Sequence, residues 1–62
     1  MVTSYSVGCY SPSGRAYGRE FGSESEANDY ASLEVCNGRA ASAEVFGWTD
    51  DGDMTELGGF YA

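Results

Sequence analysis

The segment Ser23–Gly38 is the part of the chain whose pattern requires a helix, and it limits how everything else can fold. Ser23 is a predicted N-cap, because its hydroxyl can accept a bond from a free amide while Glu26 reaches back to the Ser23 amide. The pair Asn37-Gly38 predicts the helix end, since glycine adopts the left-handed conformation found there. We therefore expect one helix between stretches of extended chain.

The predicted helix has one apolar face. Five residues at helical spacing form it: Ala27, Tyr30, Ala31, Leu33 and Val35. Glu34 interrupts this face, and we expect it to lie at the edge and either to extend into solvent or to pair with an arginine, Arg19 or Arg39. The rest of the face is expected to pack against a sheet.

Four extended segments surround the helix. The sequence predicts strands at Val2–Tyr10, Arg15–Phe21, Arg39–Thr49 and Met54–Tyr61. The tetrapeptides Ser11-Pro12-Ser13-Gly14 and Asp50-Asp51-Gly52-Asp53 predict the two hairpin turns that join neighbouring strands. The arginines and the glycine of the second strand are typical of a sheet edge.

The third strand has two different faces. Ala41, Ala43 and Val45 share one face, and we assign it to the helix because small residues allow close approach. Phe46 and Trp48 then lie on the face that the helix does not cover. The chain has nine aromatic residues, more than one face under one helix can hold, so others are expected there too.

These elements predict an α+β fold with two layers, one helix packed on a four-stranded, mostly antiparallel sheet in the order ββαββ. The order of elements is similar to the β-grasp architecture of the small immunoglobulin-binding domains. That resemblance implies that the first and last strands pair in parallel at the centre of the sheet. An all-antiparallel sheet, with the third strand beside the first, is the alternative.

The charge balance is strongly acidic. Residues 1–62 form a single predicted domain with ten acidic residues, three arginines, no lysine and no histidine, which gives a net charge of −7. Such a chain repels nucleic acid and anionic membranes and attracts basic protein surfaces. No apolar run approaches the ~20 residues of a membrane span, and the N-terminus lacks signal-peptide features. We expect a cytoplasmic protein whose two cysteines, Cys9 and Cys36, stay unpaired.

The residue types argue against catalysis and metal binding. Without histidine or lysine, carboxylates are the available general bases, and Asp50 and Asp51 lie in an exposed turn that offers no cleft. The spacing of Asp50, Asp51 and Asp53 does not match a calcium-binding loop. We expect a protein that is not an enzyme and binds no cofactor or metal.

Partner binding is the remaining interpretation. Small size, acidity, a compact fold and an aromatic patch resemble the small acidic inhibitors encoded by phages, notably anti-CRISPR proteins and other DNA mimics. The resemblance implies that carboxylates stand in for phosphates and block a basic groove on a CRISPR-Cas subunit or another host nuclease in the host cytosol. The residues implied are Glu24, Glu26, Asp29, Asp50, Asp51, Asp53 and Glu56, with Phe46 and Trp48 as aromatic contacts.

A second interpretation is a small homo-oligomeric structural or interaction protein. Its uncovered sheet face would pair with a copy of itself through Phe46 and Trp48. We expect a monomer or a weak dimer that makes no direct contact with nucleic acid or membrane. A strict monomer in dilute solution would exclude the second interpretation.

Overall fold

Five elements follow one another in residues 2–61, the part of the chain that the computed structural model describes. They are β1 (Val2–Tyr10), β2 (Ala16–Phe21), α1 (Glu24–Cys36), β3 (Ser42–Thr49) and β4 (Met54–Tyr61). The helix packs on a four-stranded sheet in which each neighbouring pair is antiparallel. The predicted α+β class with one helix and a four-stranded sheet is confirmed.

The strands lie in the order β2-β1-β3-β4. The parallel pairing of first and last strands implied by the β-grasp resemblance is therefore wrong, and the antiparallel alternative holds. The helix explains this order, because it returns the chain to the end of the sheet where β1 finishes. There the Ala41 amide donates to the Tyr10 carbonyl at 2.7 Å, and β3 must run back antiparallel to β1.

Both ends of α1 follow the local rules. The Glu26 amide donates to the Ser23 hydroxyl at 3.2 Å, as predicted for an N-cap. The Glu26 carboxylate accepts from the same hydroxyl at 3.1 Å, in place of the Ser23 amide that we expected. Asn37 is the C-cap and Gly38 follows with φ of 77°, which confirms the predicted helix end.

The core between helix and sheet is built from small side chains. Its seven fully buried apolar residues are Val7, Cys9, Ala27, Ala31, Ala40, Ala43 and Val45. Ala43 and Val45 confirm that the alanine face of β3 lies under the helix. Ala41 is exposed instead of buried, because β3 begins at Ser42 and not at Arg39. Ala40 occupies the core position, held by a 3.0 Å bond from its amide to the Glu34 carbonyl.

The buried face of α1 differs from the predicted one at two positions. Leu33 was assigned to this face, but its exposed fraction is 54%. Glu34 was expected at the edge, but its exposed fraction is 7%. The face therefore passes through Ala27, Ala31 and Glu34, with Tyr30 and Val35 partly buried beside them.

Aromatic side chains surround the small core. Phe21 and Tyr30 pack with ring centroids 5.2 Å apart. The Arg19 guanidinium lies 5.7 Å from the Phe21 centroid and 6.0 Å from the Tyr30 centroid, so this arginine stacks on rings and does not pair with Glu34. Strand β2 lies at a sheet edge, as its composition predicted.

Gly18 in β2 provides a test of this sheet. A Cβ at position 18 would collide with the Val7 carbonyl oxygen of β1, whereas a Cβ at Gly22 would meet nothing within 4 Å. We expect Gly18→Ala to lower the free energy of unfolding by about 2 kcal/mol through overpacking. Gly22→Ala is the matched control and should change it by less than ~0.5 kcal/mol. Equal values for the two variants in urea unfolding would contradict the described approach of β2 to β1.

Candidate partner-binding surface

The face of the sheet opposite the helix, which we call the open face, is defined by the strand registers. Four rows of residues cross it, each in the order β2, β1, β3, β4. They are Ala16, Tyr10, Ser42, Tyr61; then Gly18, Gly8, Glu44, Gly59; then Glu20, Ser6, Phe46, Glu56; and, without a β2 member, Ser4, Trp48, Met54. Acidic and aromatic residues therefore share one surface.

Phe46 and Trp48 lie on the open face, as predicted, and both are half-buried although no helix covers them. The Trp48 indole Nε1 donates to the Ser6 hydroxyl at 2.8 Å, which fixes the ring against β1. The Phe46 ring extends toward Gly8, where a Cβ would lie 3.8 Å from the ring atom Cε2. These two rings form an ordered apolar centre on the open face.

Three further large apolar residues share the open face with this centre. Tyr10, Met54 and Tyr61 are on the open face, and all are exposed, Tyr61 most of all at 72%. None of these three was among the partner-binding residues predicted from the sequence. The period of two along β1 could have placed Tyr10 on this face. Met54 and Tyr61 share the face only because the register of β3 and β4 shifts between Val45 and Phe46, which the period of two does not predict.

The charged residues of the open face are all acidic. Glu20, Glu44 and Glu56 lie on it, and the three arginines of the chain do not. Arg19 is on the helix side of β2, while Arg15 and Arg39 line a groove beside the helix. The sequence analysis predicted Glu56 as a partner-binding residue and did not predict Glu20 or Glu44. The open face thus combines negative charge with aromatic area.

The β3–β4 hairpin extends this negative surface at one end. The Gly52 amide donates to the Thr49 carbonyl at 3.0 Å, and Gly52 has a φ of 87°, so the predicted Asp-Gly turn is confirmed. Its acids Asp50, Asp51 and Asp53 are all exposed. They follow the row that holds Trp48 and Met54, so the hairpin acids adjoin the open face.

The helix acids occupy a different layer. Strand β2 ends at Phe21, which lies opposite Tyr5, so α1 starts at the same end of the sheet as the β3–β4 hairpin. Its outward acids are nevertheless on the helix side of the sheet, away from the open face; they are Glu24, Glu26 and Asp29. The structure therefore separates the candidates into an open-face and hairpin group and a helix group. Negative charge at the helix start also stabilises the helix dipole.

A groove on the helix side contains most of the positive charge. It has a volume of about 510 Å³ and is lined by Ser11, Arg15, Ala16, Tyr17, Glu34 and Arg39. The Glu34 carboxylate accepts a bond from the Tyr17 hydroxyl at 2.8 Å and from Arg39 Nε at 3.1 Å. Of the two arginines proposed as its partner, Arg39 is confirmed. This network ties β2, α1 and the segment before β3 together.

Three groups near this network have raised pKa values, and one of them is the Tyr30 hydroxyl, whose pKa is raised first by burial. Partial burial, followed by the hydrogen bond donated to Glu34, raises the pKa of the Tyr17 hydroxyl well above its usual range. Burial raises the pKa of the Cys9 thiol, which disfavours the reactive thiolate. Cys9 and Cys36 are both free, as predicted, with Cys9 buried and Cys36 exposed.

Comparison of the chain with models of protein families, with curated proteins and with solved structures gave no match. Within residues 2–61, no three or more histidine, cysteine or carboxylate side chains come together to hold a metal ion. No helix in the same range is long and apolar enough to cross a membrane.

The bonds that Glu34 makes with Tyr17 and Arg39 predict how much each side chain contributes to stability. Replacing Glu34 with alanine leaves the Tyr17 hydroxyl without its acceptor and opens a space under the helix. We expect a loss of about 1 to 3 kcal/mol in the free energy of unfolding. Arg39→Ala is the comparison variant, and because this side chain is 62% exposed we expect at most ~1 kcal/mol. Urea unfolding of both variants tests this, and an equal or reversed order would contradict it.

The raised pKa of Tyr17 predicts how the stability of the fold depends on pH. A hydroxyl whose pKa is raised in the folded state contributes stability at pH values below its unfolded pKa of about 10 and loses that contribution as the pH rises toward the folded pKa. Ultraviolet titration of the five tyrosines should show late ionisation of Tyr17 and of Tyr30, whose pKa burial also raises, together with alkaline unfolding. Tyr17→Phe should remove one of the two late ionisations and leave that of Tyr30. Simultaneous titration of all five in the folded protein would contradict the described network.

Proposed function

We propose that this chain is an acidic inhibitor that binds and blocks the basic nucleic-acid-binding surface of another protein, in the manner of an anti-CRISPR DNA mimic. The observation that carries the proposal is the distribution of charge. The open face and the adjoining hairpin hold six acids and none of the three arginines: Glu20, Glu44, Asp50, Asp51, Asp53 and Glu56. The proposed target is a host nuclease, such as a CRISPR-Cas subunit, in the host cytosol.

Carboxylates on a sheet suit this role because the backbone holds them in place. Glu20 and Glu56 belong to the same row and are separated by three strand spacings of ~4.8 Å each. The lysines and arginines of a basic groove can form charge-assisted hydrogen bonds with such carboxylates, as they do with phosphates. The sheet is already ordered, so less conformational entropy is lost than with a flexible acidic tail.

The aromatic residues supply apolar contact area, which the charged residues do not. Phe46 and Trp48 are half-buried and anchored, so they offer contact area without a large loss of side-chain freedom. Tryptophan and tyrosine are common among the residues that dominate binding energy at interfaces. In the proposed complex, the carboxylates guide the approach and the aromatic centre supports the contact.

Charge also favours a basic partner over a second copy of this chain. If two open faces met, Glu20, Glu44 and Glu56 of one copy would face the same acids of the other, with no arginine between them. Like charges brought together at an interface weaken it. Homo-oligomerisation through the exposed Tyr10, Met54 and Tyr61 stays the second candidate function, since such apolar area is available.

Two double variants with the same net charge of about −5 test the proposal, because each removes two of the acids that give −7. Glu20→Gln with Glu56→Gln changes the open face, and Glu24→Gln with Asp29→Asn changes the helix layer. The immobilised chain should capture basic nucleic-acid-binding proteins from a bacterial lysate, and a short DNA duplex should displace them. For a protein isolated in this way, we expect the open-face pair to weaken binding about tenfold and the helix pair about twofold or less.

Two outcomes would contradict the proposal. One is equal weakening by both double variants, which would mean that net charge and not the open face controls binding. The other is failure of the DNA duplex to displace the captured protein. The mass in dilute solution, measured by light scattering, checks the second candidate function, because a stable dimer there in place of the 6.6 kDa chain would favour homo-oligomerisation.

A further inference from the structure

Glu44 has unusual surroundings on the open face. Its neighbours in the same row are both glycine, Gly8 on β1 and Gly59 on β4, so no side chain stands directly beside it. Glu44 is half-buried, while Glu20 and Glu56 are exposed. The one ion pair among residues 2–61 joins Arg39 to Glu34, so the Glu44 carboxylate has no cationic partner within that part of the chain.

Aromatic rings occupy the space that the two glycines leave. A Cβ at Gly59 would lie 3.2 Å from the Tyr61 hydroxyl oxygen and 3.4 Å from its ring atom Cε2, so the Tyr61 ring lies over Gly59. On the other side, the Phe46 ring reaches to 3.8 Å from the corresponding position at Gly8. Glu44 therefore stands between two rings, and we name Glu44, Phe46 and Tyr61 together the Glu44 site.

We infer that the Glu44 site binds the guanidinium group of an arginine on the basic partner, an inference that rests on the proposed function. A guanidinium is planar, can donate two parallel hydrogen bonds to one carboxylate, and can stack on an aromatic ring at the same time. The ammonium group of lysine is compact and strongly hydrated, and it cannot stack flat on a ring while it donates two parallel bonds to one carboxylate. The chemistry of the site therefore selects arginine over lysine.

The position of Glu44 gives it a different role from the other acids. Partial burial lowers the local dielectric, so a charge pair formed there is stronger than one formed by an exposed carboxylate. Exposed acids such as Glu20, Glu56 and Asp51 mainly accelerate association by long-range attraction. A desolvated, hydrogen-bonded pair at Glu44 would instead slow dissociation. The open face thus has one anchoring site surrounded by steering charges.

Two basic peptides of equal length, one of arginine and one of lysine, test the inference. We expect the unmodified chain to bind the arginine peptide about fivefold or more tightly than the lysine peptide, as followed by nuclear magnetic resonance titration. Glu44→Gln should remove this preference. Glu24→Gln changes the net charge equally but lies in the helix layer, so it should weaken both peptides alike and keep the preference. Tyr61→Leu should reduce the preference without changing the charge.

Equal binding of the two peptides by the unmodified chain would overturn the inference, as would an unchanged preference in Glu44→Gln. The Glu44 site and the proposed function can each fail while the other holds. An arginine preference that depends on Glu44, without displacement of captured proteins by DNA, would keep the Glu44 site and reject the inhibitor. Displacement by DNA with no arginine preference would keep the inhibitor and reject the Glu44 site.

Discussion

The packing of α1 on the sheet through small residues is the interaction on which the rest of the structure depends. Ala27 and Ala31 of the helix meet Val7, Ala43 and Val45 of the sheet, and all five are almost completely buried. Small side chains let the helix approach closely and fill one face of the sheet. Because the chain has a single helix in residues 2–61, the other face stays open, and that is where the acidic and aromatic residues meet.

A core of small residues buries little apolar area, so this domain depends on the groups around it. The aromatic residues at the margin and the bonds that Glu34 makes with Tyr17 and Arg39 supply part of what the core lacks. The acidic surface works in the opposite direction, because repulsion among like charges destabilises the compact state. Retaining such a charge excess in so small a domain is consistent with a role in binding and is not required by the fold.

Local rules in the sequence predicted the elements well, and failures occurred where distant residues decide the outcome. The limits of β1 and β4, the Ser23 cap and the outward position of Phe46 and Trp48 all follow from patterns within a few residues. Strand order does not, since it depends on which strand the chain meets after the helix. Glu34, and not Leu33, lies on the buried face because Tyr17 and Arg39 bind its carboxylate. Arg39 is near in sequence and was predicted, whereas the contact with Tyr17 depends on how β2 packs beside the helix, which no helical pattern shows. The acids of the open face were only partly found for the same reason: Glu44 gains its setting from glycines on two other strands.

Mapping the contact surface in solution directly tests whether the open face binds the partner. The measurement is the change in backbone amide chemical shifts when the isotope-labelled chain binds a purified basic target. We expect large changes at Tyr10, Glu44 and Trp48 on the open face and small changes at Glu24 and Asp29 on the helix. Large changes confined to the helix layer, with the open face unaffected, would contradict this expectation.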